Sequence, residues 1–199
     1  MKKDSFILRE GYKNITIIFA IALLFMLFIS NCLRYIGIFV GIFFLYVYRN
    51  NYRHIFKNNQ NILAPIDAVV SSIDKVNGKT KIYCKVSLCT HNHVLRAPID
   101  SELKIKKYKH GLNLNPNTYK GSLYNEQIVL KFDDIKVKLI SGLCNNKIKR
   151  IPNRNVIQGE KITVFLDGLV IISIDEKSKL MVNIGDKLIS GQTVLFKRL

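Results

Sequence analysis

The sequence predicts a mainly β domain, sandwich-like or barrel-like, preceded by an N-terminal helical membrane hairpin. Two apolar runs, residues 15–30 and 35–48, are parted only by the polar Asn31-Cys32-Leu33-Arg34. Beyond residue 61 the apolar residues come in short alternating runs instead. Ile135-Lys136-Val137-Lys138-Leu139 is one, where period two turns one face to a core and the other to water. No long amphipathic helix stands out in that part of the chain. The boundaries follow: a hairpin over residues 1–48, a basic, Asn-rich linker over 49–61 and a β domain over 62–199. At 199 residues the chain is long enough for one core plus an appendage.

Each run of the hairpin is shorter than the ~20 residues that cross a bilayer as a helix. Two short helices meeting at a polar turn, as a membrane hairpin or a shallow re-entrant pair, therefore fit better than two independent spans; a buried soluble helical hairpin is the competing reading. Lys2, Lys3, Arg9 and Lys13 flank one outer end, and Arg49, Arg53 and Lys57 flank the other. Cations at both ends put both on the cytoplasmic side of the cell (inner) membrane, and the β domain with them. Ile29-Ser30-Asn31-Cys32 has the outline of a lipoprotein processing site, but Asn31 is a poor substitute for the usual small residue and a second apolar run follows directly.

In the β domain, strands are predicted at 69–70, 79–87, 103–108, 127–132, 135–140, 161–165, 169–174 and 193–196. Turns are marked by Asn77-Gly78, Ile184-Gly185-Asp186 and Ser190-Gly191-Gln192. Ala64-Pro65-Ile66-Asp67 recurs as Ala97-Pro98-Ile99-Asp100. Pro supplies no backbone donor, so each copy marks a chain corner at a sheet rim. Ala-Pro turns and a late Gly-Asp…Ser-Gly-Gln segment also occur in biotinyl- and lipoyl-carrier folds, but Glu176-Lys177-Ser178-Lys179 does not resemble their display of a modified lysine.

The charge is lopsided, with 31 Lys and Arg against 14 Asp and Glu for a net +17. That points to an anionic partner or to a solvated basic face. Lys104, Lys106 and Lys107, with Arg96 ahead of them, are the candidate lipid-binding residues, and Lys147, Lys149, Arg150 and Arg154 extend the basic surface. Aromatic residues do not interleave with the basic ones as base-stacking platforms would, so a membrane phospholipid is expected rather than nucleic acid. A homo-oligomer is left open. Cys32, Cys84, Cys89 and Cys144 are few and irregularly spaced, which argues for reduced thiols. Cys84, Cys89, His91 and His93 lie within ten residues, but their spacing matches no common zinc pattern, and no metal is expected.

Several segments together resemble short-form phosphatidylserine decarboxylases. Ile62-Leu63-Ala64-Pro65-Ile66-Asp67-Ala68-Val69-Val70 is similar to that family's Ser-Pro-Ala-Asp-Gly-x-Val, with Ala68 where Gly is usual. His93-Val94-Leu95-Arg96-Ala97-Pro98-Ile99-Asp100 is similar to its His-Val-Asn-Arg-Ala-Pro-Val-Asp. Tyr124-Asn125-Glu126-Gln127 resembles its Asn-Glu-Arg with Gln127 for Arg, and Ile140-Ser141-Gly142-Leu143 followed by Lys147-Ile148 resembles a further strand. Gly159-Glu160-Lys161-Ile162 leading to Asp167-Gly168-Leu169 resembles its processing segment, which ends in Gly-Ser.

The resemblance implies the family's β fold, a tie to phosphatidylethanolamine synthesis, a processing role for Asp67 and a place for His93 beside the reacting group. In the family the chain cuts itself between Gly and Ser, and the Ser becomes a pyruvoyl group. Gly168 holds the first position and Leu169 the second. Self-cleavage needs a hydroxyl on the residue after the cut bond, and Leu169 has none. No pyruvoyl group is therefore expected in this chain, and decarboxylase activity is expected to be impaired or lost. The alternative is a non-catalytic module that binds anionic phospholipid or partners an active decarboxylase. Gly121-Ser122 and Ser173 do not replace the missing hydroxyl, the one lying far upstream and the other four residues late.

Overall fold

Alternation builds the larger sheet. Ile128, Leu130 and Phe132 are fully buried while Gln127, Val129 and Lys131 between them are half-buried, and Ile135, Val137 and Leu139 alternate with Lys136 and Lys138 in the same way. The computed structural model describes residues 12–13, 15–17, 19–21, 31–49, 53–55, 57–58, 60–76, 78–90, 92–145, 147–148, 151–175 and 178–198. The chain forms two compact units, Met1–Tyr52 and Arg53–Leu199. Part of the predicted linker thus belongs to the β unit: the Asn58 amide donates to Gln158 Oε1 at 3.0 Å, and the His54 carbonyl accepts from Gln192 Nε2 at 3.2 Å.

Strands follow as β1 (Asn61–Leu63), β2 (Ala68–Val76), β3 (Lys79–Val86), β4 (Val94–Arg96), β5 (Ser101–Lys109), β6 (Gln127–Phe132) and β7 (Ile135–Ser141). The remainder are β8 (Arg154–Val156), β9 (Lys161–Val164), β10 (Gly168–Asp175), β11 (Ser178–Leu180), β12 (Lys187–Leu188) and β13 (Val194–Arg198). An eight-stranded antiparallel sheet runs β12-β2-β3-β10-β7-β6-β5-β8, with smaller sheets β1-β13-β11 and β4-β9. One apolar core is shared by all three, since Ile62, Leu95 and Phe196 from the small sheets join Ile82, Leu130, Val137 and Ile172 from the large one. The mainly β expectation is met. Five strands of two or three residues, β1, β4, β8, β11 and β12, were not predicted, because runs so short carry no period.

Two hairpin loops are two residues long. Val76 pairs with Lys79 across positions 77–78, where Gly78 has φ +68°, and Phe132 pairs with Ile135 across Asp133-Asp134, where Asp133 has φ +48°. The first was signalled in the sequence and the second was not.

The Ala-Pro-Ile-Asp repeat is a structural one. The Leu63 amide donates to the Pro98 carbonyl and the Arg96 amide to the Pro65 carbonyl, so the two copies bind each other. The Ala64 carbonyl accepts from Gly191 as the Ala97 carbonyl does from Gly159. Asp67 accepts the Ser190 amide at 2.8 Å and Asp100 the Gln158 amide at 2.5 Å. Each carboxylate pins an equivalent turn, and this local two-fold relation holds the small sheets to the large one.

Directly paired residues share a sheet face, so register sorts the outer side chains of the large sheet into rows. Val69, Lys85, Leu169, Ile140, Gln127 and Lys109 make one row across six strands. Ser72, Tyr83, Ile171, Lys138, Val129 and Lys107 make the next, and Asp74, Lys81, Ser173, Lys136, Lys131 and Lys104 the third.

In the first unit, α1 (Asn31–Val47) is a 17-residue helix. The predicted polar turn at Asn31-Cys32-Leu33-Arg34 is instead its first turn; Leu and Arg are good helix formers, and Asn is well placed at a helix start. Phe19, in helical residues 19–21, lays its ring against Gly41. Among the described residues no helix is long and apolar enough to cross a membrane. The rise of α1 is about 26 Å against a hydrocarbon core of about 30 Å. The rest of the first apolar run, residues 22–30, lies outside the described residues, as do Lys2, Lys3 and Arg9.

Candidate functional site

Asp67 sits just before β2 and is 4 % exposed. Its two oxygens take a bidentate pair from Arg53 at 2.5 and 2.6 Å, and Oδ1 also accepts the Ser190 amide. Both partners were missed as such: Arg53 was read only as a flanking cation and Ser190 only as a turn residue. Ala68, where the resemblance leads one to look for Gly, is extended and paired with Leu188, a conformation that needs no glycine.

From Asp67 the contacts lead to the other two sequence-selected positions. Ser190 Oγ donates to the Pro65 carbonyl at 3.0 Å and lies 3.4 Å from the Val94 carbonyl. The residue before Val94 is His93, which is 1 % exposed, with Nδ1 3.4 Å from the Thr90 hydroxyl. The His93 carbonyl accepts the Phe165 amide at 2.8 Å. Phe165 in turn packs on Gly168, where an added Cβ would stand 2.7 Å from its Cζ. Asp67, His93 and Gly168 therefore belong to one connected neighbourhood, with Leu169 next in the chain.

Gly168 and Leu169 open β10, which is paired with β3 on one side and β7 on the other. Segment 165–168 is held from several directions: Asn145 Oδ1 accepts the Leu166 amide, the Gly142 amide donates to the Asp167 carbonyl, and the Cys144 amide donates to Asp167 Oδ2 at 3.2 Å. Behind these, buried Asn125 donates to the carbonyls of Leu114 and Ser141. Buried Glu126 accepts from Tyr108 Oη and the Ile148 amide. The sequence motif Asn125-Glu126 thus supports the frame of the strand pair. Gln127 begins β6, and its Nε2 donates to the Ser122 carbonyl.

The residues at 168–169 do not fit a self-generated pyruvoyl group, because Leu169 is a half-buried aliphatic side chain in an unbroken strand. A hydroxyl does stand opposite Gly168, that of Ser141 on β7, but it donates to Asn113 Oδ1 at 2.9 Å and lies on the neighbouring strand. Ser122 lies in the short helix α2 (Tyr119–Tyr124) and donates to the Tyr119 carbonyl, while Ser173 lies mid-strand opposite Lys136.

The candidate lipid-binding residues separate. Arg96 is buried, with its guanidinium on the Gly159 carbonyl at 2.9 Å. Lys104, Lys106 and Lys107 are exposed on β5, the first bridged to Glu102 at 2.6 Å and the second at a bulge. Of the basic extension, Lys149 and Arg150 lie outside the described residues and Arg154 pairs with Glu160. Cys84 faces the core, where burial pushes its thiol up to about 12; Cys89 and Cys144 are exposed, and His91 is outside the described residues. Among the described residues no group of three or more His, Cys, Asp or Glu comes together.

A family model described as "Phosphatidylserine decarboxylase" matches residues 40–196. Curated proteins named phosphatidylserine decarboxylase proenzyme are similar over nearly the whole chain. The one from Pelagibacter ubique is 27% identical, covering 95% of this chain and 95% of the relative. Those from Wolbachia pipientis wMel and Nitrosomonas europaea are each 29% identical, covering 94% and 95% of this chain and 89% and 94% of the relatives. No solved structure matches.

Proposed function

The chain belongs to the phosphatidylserine decarboxylase family, and from that premise we propose that it is a membrane-associated member, tied by descent to phosphatidylethanolamine synthesis, that neither cuts itself nor decarboxylates. One observation carries the reading: Leu169 occupies the place after Gly168 where the chemistry needs a hydroxyl. The setting supports it. Asp67 is committed to Arg53 and the Ser190 amide, and the 168–169 peptide is held inside a strand paired on both sides. Association with the cell (inner) membrane, β unit on the cytoplasmic side, is supported by the basic flanks of the apolar runs and by α1, whose Tyr35, Ile38, Phe39 and Ile42 are exposed. The lysine rows of the large sheet favour a second reading within the same family, a non-catalytic binder of anionic phospholipid or a partner of an active decarboxylase.

The test is one preparation with two readouts. Membranes carrying the full chain, washed at high salt, are expected to retain it and to form no phosphatidylethanolamine from added phosphatidylserine above membranes without it. Leu169→Ser is expected to restore little cleavage and little product, since Asp67 is already engaged and self-attack demands close alignment. Product from the unaltered chain would overturn the reading; loss in the salt wash would overturn its membrane part alone.

A further inference from the structure

We propose that the outer face of the eight-stranded sheet is a docking surface for an anionic phospholipid bilayer. The inference rests on the reading of this chain as a membrane-associated protein and names the surface involved. Lys136, Lys131 and Lys104 stand directly opposite one another on β7, β6 and β5. Neighbouring strands are about 4.8 Å apart, and like charges set directly opposite destabilise a sheet, so this row is built against stability unless something anionic meets it. Lys81 lies in the same row and Lys107 and Lys138 in the next. The Lys138 ammonium is driven below its ordinary range by burial first and then by Lys107 and Lys109. Among the described residues of these strands, the opposing charges in the rows are Asp74 and, beside Lys104, Glu102.

The shape of this charge selects the partner. Lysines spread over β3, β7, β6 and β5 cover about 20 Å of sheet, too broad for one small anion and suited to a repeating headgroup plane. Half-buried Leu169, Ile171 and Val129 interrupt the lysines and offer apolar contact at the headgroup boundary. A nucleic-acid surface would need aromatic platforms, and the three rows contain one aromatic residue, half-buried Tyr83.

Lysine acylation footprinting of the full chain reads this out by mass spectrometry, in nanodiscs of phosphatidylcholine alone and of phosphatidylcholine mixed with phosphatidylserine. Lys104, Lys107, Lys131 and Lys136 are expected to react several-fold more slowly in the mixed discs. The difference should collapse near 1 M salt, where charges are screened within about 3 Å, while exposed Lys197 on β13 reacts alike in both. Protection in mixed discs confined to other lysines would overturn this surface and leave membrane association standing. Equal reactivity in both discs, with the protein still disc-bound, would overturn anionic docking. Equal or stronger protection of the four lysines by single-stranded RNA in detergent would overturn the lipid assignment.

Discussion

Gly168→Ala is expected to cost more than about 4 kcal/mol, enough to leave the β unit unfolded or insoluble. A Cβ there would stand 2.2 Å from the Ile140 carbonyl oxygen and 2.7 Å from Phe165 Cζ, and the residue has φ +143°. The first obstacle is backbone of the neighbouring strand and cannot turn aside. Gly185→Ala is the control. Its φ of +91° is also unfavourable to a side chain, but nothing lies within 4 Å of the added carbon, so only conformational strain of about 1 kcal/mol is expected. Thermal unfolding followed by circular dichroism checks both. A Gly168→Ala protein as stable as the Gly185→Ala protein would show that β10 does not approach β7 this closely.

Arg53→Ala is expected to destabilise the β unit by about 3 kcal/mol, a fall of roughly 6–12 °C in Tm for a chain of this size. The Arg53 and Asp67 side chains are 9% and 6% exposed, so removing the cation strands a carboxylate away from water. Arg53→Lys should recover part of the loss, because it restores the charge but not the two-pronged geometry. The double variant Arg53→Ala/Asp67→Ala should be less destabilised than the sum of the single ones. Strict additivity would mean that Asp67 is held by the Ser190 amide alone.

What the sequence made legible depends on the range over which the relevant signal acts. Alternation in 127–132 and 135–141 is local, and those strands are found where period two puts them. The edge strands β4 and β12 exist because tertiary partners stand beside them, Val94 on Val164 and Leu188 on Ala68. The Ala-Pro-Ile-Asp repeat was visible as letters, whereas its reciprocal hydrogen bonds join residues more than thirty positions apart. Asp67 and His93 were selected through motif resemblance, and the structure places them in one connected neighbourhood with Gly168. Arg53 escaped notice because nothing near it in sequence distinguishes a cation that folds back onto a carboxylate from one that stays in water. Arg96 illustrates the converse, chosen for its charge yet buried on a carbonyl. The lysine rows were half visible: Lys136 and Lys138 alternate plainly, but only strand register sets Lys136 beside Lys131 and Lys104.

Intact-mass spectrometry of the purified chain tests the central claim most directly, because self-cleavage is a covalent event that a mass cannot disguise. A single species at 22.9 kDa is the predicted result. Two fragments, the smaller one covering residues 169–199, would contradict it and restore the chain to the self-processing enzymes of its family.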